Sequence, residues 1–201
     1  MKRLARVTLV TDPRYDEERI VSVVERAAPN VAGFAVQLRD RTNRTDEELL
    51  PFAMRLREIT ARHGALLVVN RRVELARRIG ADGIHAPVSE TETETESESA
   101  WRSAPAHSDR DVQNARIARV DAVLVSPIFS TPGKGHARGI AAIASARSIA
   151  PGLQIIALGG VDPANARSCF AAGASGVAVI RALLDAEDPA AAARALLAPR
   201  W

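Results

Sequence analysis

The stretch IIALGGVDPANARSCFAAGASGVAVIRALL, residues 155–184, holds two short apolar runs separated by a segment of helical composition. The run IIAL at 155–158 is continuously apolar, as in a parallel strand that is covered on both faces. Asp162 before Pro163 is typical of a helix start, and Gly173 is typical of a helix end. A second strand follows at 176–181. The stretch therefore predicts one strand–helix–strand unit of a parallel sheet.

The same alternation extends through the rest of the chain. Short β-branched runs recur between segments of helical period that are rich in Ala, Arg and Leu. Eight candidate strands result, at 6–12, 32–39, 65–70, 83–87, 101–107, 121–129, 154–160 and 176–181. Eight parallel strands in this order predict an α/β fold, a single (β/α)8 TIM barrel that occupies residues 1–201 as one domain.

Helix boundaries agree with this division of the chain. Thr45 followed by Glu48 predicts a capping box, which opens a helix that runs to about His63. Asp188 before Pro189 marks a further helix start, and Gly64 and Gly80 lie beyond predicted helix ends. The Thr/Glu repeat at 91–99 has no apolar face, so we expect a polar acidic loop at 90–100 and a poorly formed fourth helix. An acidic docking site is the alternative.

Composition excludes several classes of protein. The net charge is only +3, and there are four Phe, one Tyr and two Trp, so a basic stripe with stacking residues for nucleic acid is not expected. Cys169 is the one cysteine, which excludes an internal disulfide and agrees with a reducing cytoplasm. No apolar run approaches the length of a membrane span. We therefore expect a cytoplasmic protein without membrane or nucleic-acid partners.

Polar residues lie at the carboxyl ends of the predicted strands, where the active site of such a barrel is found. Gln37 and Arg39 share one face of strand two, and Asn70, His85 and His107 lie at the ends of later strands. An arginine at this rim needs an anion. Either the carboxylate of Asp12 or the phosphate of a ligand would supply it, since the guanidinium group bonds two oxygens at once.

Two later loops have the composition of a phosphate site. The loop after strand six contains Thr131 and Lys134, and Lys134 is one of only two lysines in the chain. Gly159, Gly160 and Arg181 follow strands seven and eight, where barrels often bind phosphate through backbone N–H groups. The alternatives are a chance lysine at a loop tip and a simple glycine turn.

His107 is the candidate general acid or base. Imidazole titrates near neutrality, and the end of a strand is expected to be half-exposed. The alternative is a buried His107 that only packs. The four histidines have no metal-binding spacing, and His63 falls near a helix end.

As a set, the segments VTLVTDPR, VQLRDR, LLVVNRRVELARRIGADGIH, AHSDRDVQNA, DAVLVSPIFSTPGKG and the opening stretch resemble the thiamine phosphate synthase and TenI superfamily, from about Thr8 to Leu184. The resemblance implies a small (β/α) barrel that handles thiazole phosphate, a small phosphorylated heterocycle, and that is frequently a homodimer. Only the Thr/Glu segment has no counterpart in the family.

The synthase branch joins a pyrimidine pyrophosphate to thiazole phosphate with Mg²⁺. The resemblance places six residues on motif positions of that machinery: Gln37, Arg39, Asn70, Thr131, Lys134 and Gly160. The family implies an Asp that helps to hold magnesium where this chain has Arg71, with Glu90 as a possible second metal ligand. Arg71 in place of an Asp changes the charge at this position by two units. At about 4 Å each unit charge is worth roughly 4 kcal/mol at an effective dielectric near 20, so we expect Mg²⁺ to bind poorly. Pro105 and Gly133 replace a serine and a threonine of the synthase, and Arg71 is a candidate to neutralise pyrophosphate itself.

The TenI-type branch resembles this chain more closely at Asn70 to Glu74 and at His107-Ser108. That branch includes a thiazole tautomerase without cofactor, in which the histidine that matches His107 moves a proton and the later loops hold the phosphate. The tautomerase-like function is therefore our first prediction and the synthase our second. A phosphate-binding barrel that regulates without catalysis is the third.

Overall fold

The computed structural model describes residues 4–91, 100–131 and 136–197, and in these residues the eight predicted strands are all present. They pair in parallel in chain order, and β1 also pairs with β8, which closes the barrel. The prediction of a (β/α)8 barrel is thus confirmed. The strands are β1 Val7–Val10, β2 Phe34–Leu38, β3 Leu66–Asn70, β4 Gly83–His85, β5 Trp101–Ala106, β6 Ala122–Val125, β7 Gln154–Leu158 and β8 Gly176–Val179.

Helices follow the strands on the outside of the barrel. The predicted capping box is formed, since the Glu48 N–H donates to Thr45 Oγ1 over 3.2 Å and the Thr45 N–H donates to Glu48 Oε2 over 2.7 Å. The helices are α1 Glu17–Ala27, α2 Asp46–Arg62, α3 Val73–Arg78, α4 Val88–Thr91, α5 Asp109–Ile117, α6 Ala141–Ile149, α7 Ala166–Ala171, α8 Arg181–Leu184 and α9 Pro189–Leu197, with a short 3-10 turn at Ala28–Asn30.

One helix start was predicted wrongly. The sequence places it at Asp162-Pro163, whereas α7 begins at Ala166. Asp162 Oδ1 accepts hydrogen bonds from the N–H groups of Ala164 and Asn165, and the Asn165 side chain accepts one from the Asp162 N–H. This reciprocal bonding makes a separate turn in front of the helix. At Asp188-Pro189 the same signal is followed directly by α9, as predicted.

Four residues of the fourth helix are described, Val88–Thr91. The Thr/Glu segment beyond it, at 92–99, lies outside the described residues, so the predictions made for it stay predictions. None of the helices described is both long enough and apolar enough to cross a membrane.

Alternate residues of each strand fill the inside of the barrel. The interior cluster is apolar and buried, and it comprises Ala5, Val10, Ala35, Leu66, Val68, Trp101, Ala122, Leu124, Ile156 and Ala178. A larger apolar layer lies between the strands and the helices. At the carboxyl ends of the strands the inward positions become polar, so the apolar filling stops and a cavity opens.

Candidate active site at the barrel mouth

A cavity of about 1120 Å³ lies at the carboxyl ends of the strands. Eight of the predicted site residues line it together: Gln37, Arg39, Asn70, His107, Thr131, Gly159, Gly160 and Arg181. The ninth, Lys134, lies outside the described residues. The cavity exceeds the roughly 300 to 1,000 Å³ typical of small-molecule sites. The roles of these residues stay predictions, but their common location follows from the closed barrel.

Arg39 carries a half-buried guanidinium group that has no hydrogen-bond or ion-pair partner among the described residues. Its backbone is held by Thr11, whose hydroxyl accepts from the Arg39 N–H over 2.8 Å and donates to the Arg39 carbonyl over 3.0 Å. Burial, together with the positive charge of Arg41, lowers the pKa of Arg39. The alternative partner, Asp12, instead pairs with Arg14, with 2.6 Å between Oδ2 and Nη2. The predicted alternative of an Arg39–Asp12 pair is therefore wrong.

The carboxylates that border the cavity already have protein partners. Asp40 bonds Arg44, Asp162 caps its turn, and Asp185 accepts from the Tyr15 hydroxyl over 2.6 Å. Burial and the Asp185 carboxylate raise the pKa of Tyr15 to about 12, so the hydroxyl stays a donor. By contrast, in the described part of the chain Arg39, Arg41 and Arg181 line the cavity with neither an ion pair nor a side-chain hydrogen bond. The mouth therefore has positive charge available for an anion.

Two amides at the mouth are also without bonds. Gln37 is buried and Asn70 is half-buried, and neither side chain makes a hydrogen bond to another described residue. Both side chains line the cavity, so a polar ligand there would satisfy them.

His85 is a buried site residue that sequence reasoning noted at the mouth but did not assign to the site. Its Nδ1 lies 2.9 Å from Ser103 Oγ, on the neighbouring strand. Burial lowers the pKa of His85 to about 4, and the positive charges of Arg39, Arg71 and His107 add to the effect. His85 is therefore neutral at pH 7. The sequence did contain a signal for this position. His85 lies two residues after Gly83 in β4, so both residues point into the barrel.

His107 is exposed at the end of β5 and lines the cavity, so the alternative of a buried packing residue is wrong. Its Nδ1 lies 3.1 Å from the Ser126 carbonyl oxygen and 3.3 Å from Ser126 Oγ, which can donate or accept. The contact with the carbonyl is a hydrogen bond only when Nδ1 carries the proton of the neutral ring. Nε2 is then the basic nitrogen, and it has no hydrogen-bond partner among the residues described. The arrangement suits a general base.

Gly159 and Gly160 let the loop after β6 pack closely on the end of β7. Their φ angles are 100° and 66°, and a Cβ on Gly160 would lie 2.8 Å from the Cβ of Phe129. A Cβ on Gly159 would lie 2.9 Å from the Cα of Pro127. Close packing is therefore enough to explain why both residues are glycine, which is the simpler of the two interpretations made from the sequence. A phosphate role for this turn stays a prediction.

The position where the resemblance implies a metal does not fit one. Arg71 stands where the family implies an Asp, and its Nη1 lies 3.0 Å from Glu90 Oε1. Glu90, the candidate metal ligand, is thus paired with a cation. Within the described ranges, no group of three or more His, Cys, Asp or Glu residues could hold a metal ion. Arg71 offers no ligand atom to Mg²⁺ and its charge neutralises Glu90, so this pair of residues does not fit a Mg²⁺ site.

Known proteins resemble this chain along nearly its whole length. A family model described as thiamine monophosphate synthase matches residues 7–183. The thiamine-phosphate synthase of Methanoculleus marisnigri is 36% identical over 196 residues, which cover 94% of this chain and 92% of that protein. The thiamine biosynthesis bifunctional protein ThiM/ThiE of Symbiobacterium thermophilum is 38% identical over 84% of this chain. The chain spans only 38% of that protein's length, and 54% of the length of the thiamine-phosphate synthase of Gloeobacter violaceus.

The fold resembles solved structures as well. Thiamine phosphate pyrophosphorylase from Pyrococcus furiosus superposes with a TM-score of 0.82 at 26% identity, over 96% of this chain and 93% of the other. The strand order of this chain and its resemblance to these proteins therefore point to the same barrel fold.

Proposed function

The chain belongs to the thiamine monophosphate synthase family, and from this premise we propose that it forms thiamine phosphate from a pyrimidine pyrophosphate and thiazole phosphate. Relatives that are 36% and 33% identical over at least nine-tenths of their length carry the name thiamine-phosphate synthase. They favour this function over the tautomerase that the sequence pattern at 70–74 and 107–108 favoured.

The observation that carries the proposal is the excess of unpaired cations in a large cavity. Arg39, Arg41 and Arg181 line a space of about 1120 Å³, and the neighbouring carboxylates are already bonded. A pyrophosphate and a phosphate together bring several negative charges, which such a mouth would neutralise.

The reaction breaks one bond and forms another. The C–O bond between the pyrimidine methylene and pyrophosphate breaks, and pyrophosphate leaves with the electron pair. The thiazole nitrogen forms the new C–N bond to that methylene. Arg39 is placed to stabilise the charge on the leaving group, and Gln37 and Asn70 offer hydrogen bonds that orient the reactants. We propose that the thiazole phosphate is bound by the loops that contain Thr131, Lys134 and Gly160.

The family implies Mg²⁺ as cofactor, but the residues described here do not fit a metal site, and no step of this scheme uses one. The test is thiamine phosphate formation by the purified chain with both substrates, measured with magnesium and with a chelator. Product in either condition supports the synthase. Absence of product from folded protein in both conditions overturns it.

A thiazole tautomerase is the second candidate, and the free Nε2 of His107 is the observation that favours it. A base at this position removes a proton from the ring and returns it elsewhere, which contributes about 10² to 10⁴ fold. His107→Ala should abolish tautomerisation and leave phosphate binding nearly intact. An unchanged tautomerisation rate in that variant would remove His107 from the mechanism.

Binding without turnover in both assays would instead favour the third prediction, a regulatory barrel. Association as a homodimer also stays part of the proposal, and sedimentation of the purified chain tests it.

A further inference from the structure

Arg71 lies directly after β3 in a backbone conformation that few side chains adopt. Its φ is 66°, and its N–H donates to the His85 carbonyl over 3.0 Å. A left-handed residue other than glycine is strained, so the surrounding structure must hold it there. The result is that the guanidinium group stands at the mouth, where it lines both the main cavity and an adjoining one of about 660 Å³.

The Arg71–Glu90 ion pair is easily opened. The side chains are 58% and 43% exposed, and ion pairs exposed to this degree stabilise a protein little. A diphosphate carries more charge than a carboxylate and accepts several hydrogen bonds from a planar guanidinium group. An anion of this kind would therefore displace Glu90 from Arg71.

Arg71 is also one of several basic groups that converge on one place. Arg39 from the end of β2, Arg71 from the end of β3 and His107 from the end of β5 all act on buried His85 in β4, and each disfavours its protonated form by lowering its pKa. β3 and β4 are paired at this level, with Asn70 opposite His85. Glu90 is the only carboxylate among the described residues that is paired with Arg71, and none is paired with Arg39.

We propose that Arg71 and Arg39 bind a diphosphate directly, at the place where the family implies a divalent cation, so that diphosphate binding by this chain does not need Mg²⁺. The assignment of this group to a substrate rests on the proposed synthase function. The binding itself can be measured without turnover.

The test is calorimetric titration of the full chain with inorganic pyrophosphate, in chelator and in magnesium. Arg71→Gly is the informative variant, because glycine accepts the φ of 66° and the fold should be kept. Arg78→Ala is the matched control, since it removes an equal charge from an exposed arginine that pairs with Glu47 on the outside of the barrel.

Wild-type protein and Arg78→Ala should bind pyrophosphate in chelator with equal affinity, and Arg71→Gly should bind it about 10- to 100-fold more weakly, as expected when a charged hydrogen-bond donor is lost. Glu90→Gln should bind it more tightly, because the competing carboxylate is gone. Binding that requires magnesium, or an Arg71→Gly variant equal to Arg78→Ala, overturns the inference.

The two proposals fail in different ways. Tight pyrophosphate binding without thiamine phosphate formation removes the synthase and supports the anion site. Thiamine phosphate formation only with magnesium, with no effect of Arg71→Gly on pyrophosphate binding, supports the synthase and removes the anion site.

Discussion

The two ends of the barrel use the same residue types in opposite ways. At the amino end, Arg147 of α6 donates to the carbonyls of Pro151, Leu153 and Gly173 and to the Ser175 hydroxyl, the last over 2.7 Å. At the mouth, the guanidinium group of Arg39 has no protein partner among the described residues.

Glutamine shows the same contrast. Gln154 Oε1 at the start of β7 accepts from the Ala5 N–H over 3.0 Å, whereas the amide of Gln37 faces the cavity without a bond to a described residue. Polar groups at the amino end thus bond the loops to the strands, and those at the mouth are left for a ligand. This division between a stabilising end and a functional end is the general property of such barrels.

The largest effect is expected from Arg39→Met, which tests the functional end. Product formation should fall about 10²- to 10³-fold, as when one donor to a developing negative charge is removed. The free energy of unfolding should stay the same or rise, because the half-buried guanidinium group has no ion pair or hydrogen bond to a described residue that could be lost. Steady-state rates and urea denaturation measure the two quantities. A stability loss as large as that of an Arg147 variant would contradict the contrast.

A pH-dependent effect of similar size is expected from His85, the buried histidine of the mouth. Its pKa is about 4 in the folded chain against 6.5 for a free histidine. As the pH falls from 6.5 to 4, the unfolded chain takes up a proton that the folded chain refuses, so folded-state stability is lost in that range, by on the order of 3 kcal/mol.

Denaturation of wild-type protein and His85→Gln between these pH values measures this loss. The stability of the variant should depend less steeply on pH than that of the wild type. His136→Gln, which removes an exposed histidine, is the control. Parallel pH curves for wild type and His85→Gln would contradict the assignment of a neutral, buried His85.

The smallest effect is expected from Arg147→Met, which tests the stabilising end. The free energy of unfolding should fall by about 2 kcal/mol, because part-buried carbonyls just before β7 and β8 lose their donor. Pyrophosphate binding should stay unchanged, since Arg147 does not line the mouth cavity. Loss of binding in a variant that remains folded would show that the two ends are coupled.

The fold was predictable because its signals are local and repeated. All eight strands lie within their predicted segments, since each apolar run is bounded by turn residues. Several were predicted to end too late, the sixth by four residues, since it was predicted to end at 129 and ends at Val125. A strand ends where its neighbours stop pairing, and a single run does not contain that information.

The location of the site was predictable from the sequence, but the ion pairs and pKa shifts within it were not. Parallel order alone brings Gln37, Arg39, Asn70 and His107 to one mouth. The partner of Asp12 was missed because Arg14, two residues away, forms the pair at little entropic cost. The lowered pKa of His85 was missed because it depends on burial and on charges from three other strands, which only the folded chain brings together.

Closure of the barrel also limits how the chain can meet other molecules. Because β1 pairs with both β2 and β8, every strand has a hydrogen-bonded neighbour on each side. Open sheets expose an edge to which an extended peptide or a second copy can add as a further strand. The eight strands described leave no such edge, so a second copy cannot extend this sheet and would contact helices and loops instead. Changes on that outer surface can then alter association while the strand pairing that supports the mouth stays intact.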